Sequence, residues 1–175
     1  QCDAFKIKQQ AVARHVVGII VKKVFFEVRQ ANGQWRYEQN SPFNARLTPN
    51  TPIALSGPAA GNALMKTKFD VSGKRARGTL NNCGTGKTPW NTLLTGEENW
   101  AGYFFRNAND DAARNDQSVV ALNRYGRKQG EASRHGWESS GTQDRFARWN
   151  NSQIGTSKDG SDDYRNEMNT FGYMV

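Results

Sequence analysis

A thiol, Cys83, and two adjacent carboxylates, Glu97 and Glu98, stand on either side of the short apolar run that begins at Trp90. They are the chain's best candidates for metal or catalytic groups, all within reach of a single hairpin. A thiolate suits a softer transition metal, and hard carboxylate oxygens suit calcium, so a mixed site would draw on both residue types. Taken alone, a single cysteine between Asn82 and Gly84 reads as an inert buried residue, and Glu97-Glu98 as a solvated hairpin end. Adjacent residues of a strand point to opposite faces, so both glutamates can meet one metal only if the strand ends there, a bend that Gly96 allows.

Gly86-Lys87-Thr88 imitates the end of a phosphate-binding P-loop. Such a loop needs a glycine at position 81, where this chain has Asn81, and a helix starting at the lysine. Pro89 instead pushes Thr88 towards extended geometry, and the sequel Trp90–Thr95 suits a strand. The P-loop is excluded. His15 and His135 lie far apart and have no partner at metal-ligand spacing. Asp159-Gly160-Ser161-Asp162-Asp163 has the carboxylate density of a calcium loop but lacks EF-hand spacing, and reads as a solvated loop. Lys87 and Arg46 could meet phosphate, while Trp90 and Trp100 read as packing for the hairpin.

The elements that must hold these groups are short. The 175 residues suffice for one domain with a core, yet only 36% are apolar. Abundant Gly, Asn, Thr and Ser, with few apolar residues at helical spacing, argue for a loop-rich all-β protein. Strands are expected at 16–21, 24–29, 34–38, 77–82, 90–95 and 100–105, with Asn32-Gly33 as a hairpin turn. One helical turn is expected at 59–66, a short helix or loop at 107–116, a strand or part of a helix at 119–122, and loop from 124 to 163. The closing Phe171-Gly172-Tyr173-Met174-Val175 reads as an apolar strand whose edge needs a partner. It predicts that the chain is part of a longer polypeptide.

The formal charge of +8 would attract phosphate-bearing ligands or an anionic surface. The basic residues are scattered without interleaved aromatics, so no nucleic-acid partner is expected. No run of eighteen apolar residues occurs, so no transmembrane helix is expected, and no signal segment opens the chain. Cys2 and Cys83 could pair, but two cysteines make no disulfide framework.

The blocks Ser41–Thr48, Thr51–Gly61, Gly78–Cys83, Thr88-Pro89-Trp90 and Leu94–Asn99 resemble, in order and spacing, the secreted PhoX-type alkaline phosphatases. The closing Glu167–Val175 is also similar to a family strand that continues into an acidic residue. Residues 1–40 match less well, Asn91 stands where the family usually has Gly, and Asn62 where it usually has His. The resemblance implies that residues 1–175 form a partial domain of a multi-bladed β-propeller with long loops and one or two short helices, exported to the periplasm or outside the cell. It implies phosphomonoester hydrolysis at a cluster of iron and calcium, with Cys83 as an iron ligand and Glu97 and Glu98 as acidic ligands. The substrate would be a phosphate monoester, the remaining ligands and phosphate-binding arginines would lie beyond Val175, and the chain alone would be inactive. The rest of the propeller, or a partner chain, would join at the Phe171–Val175 edge. The competing expectation is a non-catalytic propeller fragment that serves binding or assembly.

Overall fold

The computed structural model describes residues 22–24, 27–90 and 92–175. The expected strand at 16–21, His15, and the Cys2 side of a Cys2–Cys83 pair lie outside the described residues. The chain divides into two compact units, residues 1–49 and 50–175.

In the first unit, β1 (Lys22–Val24) pairs antiparallel with β4 (Ala45–Leu47), and β2 (Glu27–Arg29) with β3 (Trp35–Tyr37). The β2–β3 hairpin turns at Asn32-Gly33 as the sequence predicts. Gly33 takes φ +80°, and the Asn32 side-chain oxygen accepts the Gln34 N–H at 3.0 Å.

The second unit carries two further two-stranded sheets. One joins β5 (Pro52–Ala54) to β6 (Arg75–Arg77), the other β7 (Asn82–Lys87) to β8 (Leu93–Glu97). A 3-10 turn at Ala63–Met65 falls within the expected helical turn. The strand expected at 77–82 is displaced: pairing starts at Asn82 and takes Cys83 into β7 itself. The strand expected at Trp100–Phe105 is instead a 3-10 turn over Trp100–Tyr103. Asn99, at φ +54°, reverses the chain just before it, and that break overrides the β-propensity of the aromatic residues. The ambiguous 119–122 segment lies inside α1 (Asp116–Arg124), where the Asn115 side chain caps the Ser118 N–H at 2.9 Å. A second, one-turn helix, α2, spans Asp144–Ala147 within the expected loop. The secondary structure is thus short strands and loops with few helices, and no closed barrel among the described residues. No helix among them is long and apolar enough to cross a membrane.

With few aliphatic residues available, the core of this unit is built from rings and paired charges. Trp149 meets Phe104 at 5.1 Å, Trp137 at 4.9 Å and Phe171 at 5.9 Å between centroids. Arg148, with its guanidinium 4.5 Å from the Trp149 ring centroid, and Arg106 are fully buried. Arg148 Nη2 meets Glu167 Oε1 at 2.7 Å, and Arg106 pairs with both Asp110 and Asp111. A buried guanidinium is tolerable only when paired and hydrogen-bonded in this way.

Candidate functional site

The register of β7 and β8 decides how the three candidate side chains are aimed. Asn82 opposes Glu97 and Thr85 opposes Thr95, so Cys83 and Gly84 together stand against Gly96 in a β-bulge. A bulge inserts an extra residue and re-aims the side chains around it. Cys83 is consequently exposed and in no disulfide, contrary to the buried position expected of a lone cysteine. Glu98, just past the end of β8 and also exposed, meets it. By accepting a hydrogen bond from the thiol and adding its negative charge, Glu98 pushes the Cys83 thiol above its ordinary value.

Glu97 faces elsewhere. Its Oε1 accepts the Leu80 N–H at 2.6 Å, and its Oε2 accepts those of Gly172 at 2.7 Å and Tyr173 at 3.2 Å. Strand alternation accounts for the split between the two neighbours. The structure therefore brings Cys83 and Glu98 together and turns Glu97 to the backbone on either side. Among the described residues no group of three His, Cys, Asp or Glu is arranged to hold a metal. Cys83 and Glu98, one soft donor and one hard, are thus brought together and both open to solvent.

Several residues that hold this pair carried no obvious chemistry in the sequence. Thr79 Oγ1 donates to Asn82 Oδ1 at 2.8 Å, and Asn82 Nδ2 donates to Thr95 Oγ1 at 2.8 Å, pinning the base of the bulge. Asn81 takes φ +48°, and its carbonyl accepts the Glu98 N–H at 3.3 Å. Asn81 and Asn99 are the non-glycine residues with positive φ among those described, and they bracket Cys83 and Glu98. The available signal was the residue type, since Asn tolerates the left-handed region better than most.

The segment 171–175 closes the other side of β8. Thr95 N–H donates to Val175 O at 2.7 Å, Val175 N–H to Thr95 O at 2.8 Å, and Glu97 N–H to Tyr173 O at 3.1 Å. The strand expected at 171–175 is instead a single antiparallel bridge, Met174 opposite Gly96, alongside β8. Gly172, at φ +91°, lies against the Trp100 ring, where an added Cβ would sit 2.7 Å away. Trp100 thereby packs the junction, as expected, and meets Tyr125 edge-on at 5.1 Å. Trp90, expected to pack the hairpin, is 71% exposed.

The remaining candidates have other employment. Asp162 Oδ2 accepts the Thr156 and Ser157 N–H groups at 2.8 and 3.0 Å, Asp159 pairs with Lys66 at 2.8 Å, and Asp163 with Arg165 at 2.6 Å. The acidic loop is therefore cross-braced. His135 stacks on Trp137 with centroids 5.6 Å apart, and Lys87 and Arg46 are exposed on β7 and β4. A cavity of about 290 Å³ is lined by Met65, Arg114, Leu122, Tyr125, Arg165 and Tyr173. Arg114 is bound to Asp110, Arg165 to Asp163, and the Tyr173 hydroxyl donates to Asn169 O, so both arginines of its wall and one of its two phenols are already engaged.

Residues 8–175 match the family described as alkaline phosphatase PhoX. Among solved structures, the chain is similar to Pseudomonas fluorescens PhoX in complex with vanadate, a transition state analogue, with a TM-score of 0.67 and 36% identity. The likeness covers 88% of this chain and 23% of that one. Comparison with curated protein sequences yields no match.

Proposed function

The chain belongs to the alkaline phosphatase PhoX family, and from that membership we propose that it supplies one wall of a metal-dependent phosphomonoesterase site. Cys83 beside Glu98, exposed on the bulged β7–β8 hairpin, is the observation that carries this reading. The substrate is a phosphate monoester. The vanadate bound to the solved relative mimics a phosphoryl group in transfer, which fits that class. Iron at Cys83, with calcium drawn to carboxylate oxygen, matches the softness of the two donors. When bound, such cations polarise phosphoryl oxygens and neutralise the charge that develops during in-line displacement.

The chain's own residues present and hold those donors. The bulge turns Cys83 outward, Glu98 stands against it, and the Thr79–Asn82–Thr95 hydrogen bonds keep the hairpin in register. Because the thiol is held protonated by Glu98, it must release its proton when it becomes a ligand, so metal uptake rises with pH. Further ligands and the phosphate-binding cations come from the rest of a β-propeller, which joins near Phe171–Val175. The protein acts in the periplasm or outside the cell, in keeping with a secreted family.

The test uses the full-length protein. Cys83→Ser and Glu98→Gln should each lower bound metal, measured by elemental analysis, and with it phosphomonoesterase activity. Chelation should abolish activity in the unaltered protein. Normal activity and metal content in Cys83→Ser would refute the assignment.

A further inference from the structure

We propose that Glu97 is a positioning residue whose carboxylate ties the chain leading into Cys83 to the segment at Gly172-Tyr173, and so sets the separation of Cys83 and Glu98. Its role towards the metal rests on the function proposed above, whereas the backbone clamp stands by itself.

The clamp follows from three hydrogen bonds to one side chain. Leu80, fully buried, donates its N–H to Oε1 at 2.6 Å three residues ahead of Cys83. Gly172 and Tyr173 donate theirs to Oε2 at 2.7 and 3.2 Å. Bonds to an ionised acceptor are about twice as strong as neutral ones, and a buried N–H left without a partner is costly. Glu97 itself is the last residue of β8, one step before Glu98. One carboxylate therefore joins the entry to β7, the end of β8 and the 172–175 segment.

Asn81 and Asn99, at φ +48° and +54°, flank the Cys83–Glu98 pair in the left-handed conformation that Asn adopts more readily than other non-glycine residues. The Asn81 carbonyl receives the Glu98 N–H at 3.3 Å. Gly172 approaches the Trp100 ring so closely that no side chain fits, which brings its N–H within reach of Glu97. Loss of the carboxylate frees Leu80 and Gly172 together, and with them the backbone that carries both candidate ligands.

The experiment compares Glu97→Gln, Glu97→Asp and Glu98→Gln in the full-length protein. Amide hydrogen exchange is read at 80, 172 and 173, with core amides at 104 and 149 reporting global folding. Iron and calcium are titrated separately. Glu97→Gln keeps one acceptor oxygen and turns the other into a donor, so it should speed exchange on one side of the clamp, at 80 or at 172 and 173, by about tenfold or more while the core amides hold. Its metal affinity should fall while the stoichiometry at saturation is kept. Glu97→Asp, one methylene shorter, should lie between it and the unaltered protein, and Glu98→Gln should lose metal without touching the three amides. Unchanged exchange in Glu97→Gln overturns the clamp. Loss of a metal equivalent at saturation with the amides still protected makes Glu97 a direct ligand and also overturns the proposal. Accelerated exchange with unaltered metal affinity overturns the positioning role. If Glu98→Gln and Cys83→Ser bind metal normally, it is the proposed function that fails, a result the exchange data do not share.

Discussion

Replacing Glu167 with Gln removes a carboxylate that faces two guanidinium groups in the core. Glu167 Oε1 lies 2.7 Å from Arg148 Nη2 and 3.9 Å from Arg77 Nη2, with side-chain exposures of 2%, 0% and 11% respectively. At an effective dielectric near 20, unit charges about 4 Å apart attract by roughly 4 kcal/mol. Part of that is offset by the desolvation already incurred, and removing one partner of such a pair typically costs about 3–5 kcal/mol. Glu167→Gln should therefore lose stability in that range. Arg148 Nη2 also donates to Arg77 O at 2.7 Å, at the end of β6 on the way to Leu80. Its guanidinium stands 5.5 Å from the Phe171 ring, next to Gly172. The pair thus touches the same two stretches of chain, before Leu80 and before Gly172, that Glu97 joins. Urea unfolding followed by tryptophan fluorescence measures the loss. Adding Arg148→Met to Glu167→Gln removes one stranded charge among Trp149 and Phe171, and the double variant should cost less than the summed single changes by about 1–3 kcal/mol. A loss below about 1 kcal/mol for Glu167→Gln, or strict additivity in the double variant, would refute the electrostatic account.

Two further outcomes follow from the ionisable groups. Glu98 holds the Cys83 thiol above its ordinary value, so in metal-free protein Glu98→Gln should lower it, raise the thiolate fraction at mildly alkaline pH and speed alkylation; an unchanged rate contradicts the contact. Burial raises the phenols of Tyr103 and Tyr164, which favours their neutral forms in the folded state. That stabilisation is fully present below the ordinary phenol value of about 10 and is lost as pH rises through the folded values. Phenolate absorbance from these two should appear late and together with unfolding, and titration of all five tyrosines near pH 10 in a folded protein would oppose it.

Much of the local structure was legible because it depends on a few residues at a time. Asn32-Gly33 supplies a side-chain acceptor and, at Gly33, the positive φ that a hairpin turn needs, and Pro89 with the β-prone residues after it makes the β7–β8 hairpin readable. Trp100–Tyr103 misled because its aromatic content favours a strand, while the chain reverses at Asn99 and Trp100 packs against Gly172, a residue distant in sequence. The helix α1 was ambiguous because Val119 and Val120 suit either state, and the Asn115 cap settles it.

For the site, the sequence by itself determined the chemistry on offer: a soft thiol and two hard carboxylates on one hairpin, in a chain whose motifs belong to a phosphatase family. Only the tertiary structure decided how the glutamates divide. A strand's alternation sends neighbours to opposite faces, yet which face holds the cysteine depends on the bulge at Cys83-Gly84. What occupies the opposite face depends on backbone from 172–173, some 75 residues later in the chain. Spacing along a chain carries residue types and periodicity, but it does not carry the hydrogen bonds that remote backbone makes to a side chain, and those set where the Glu97 carboxylate stands.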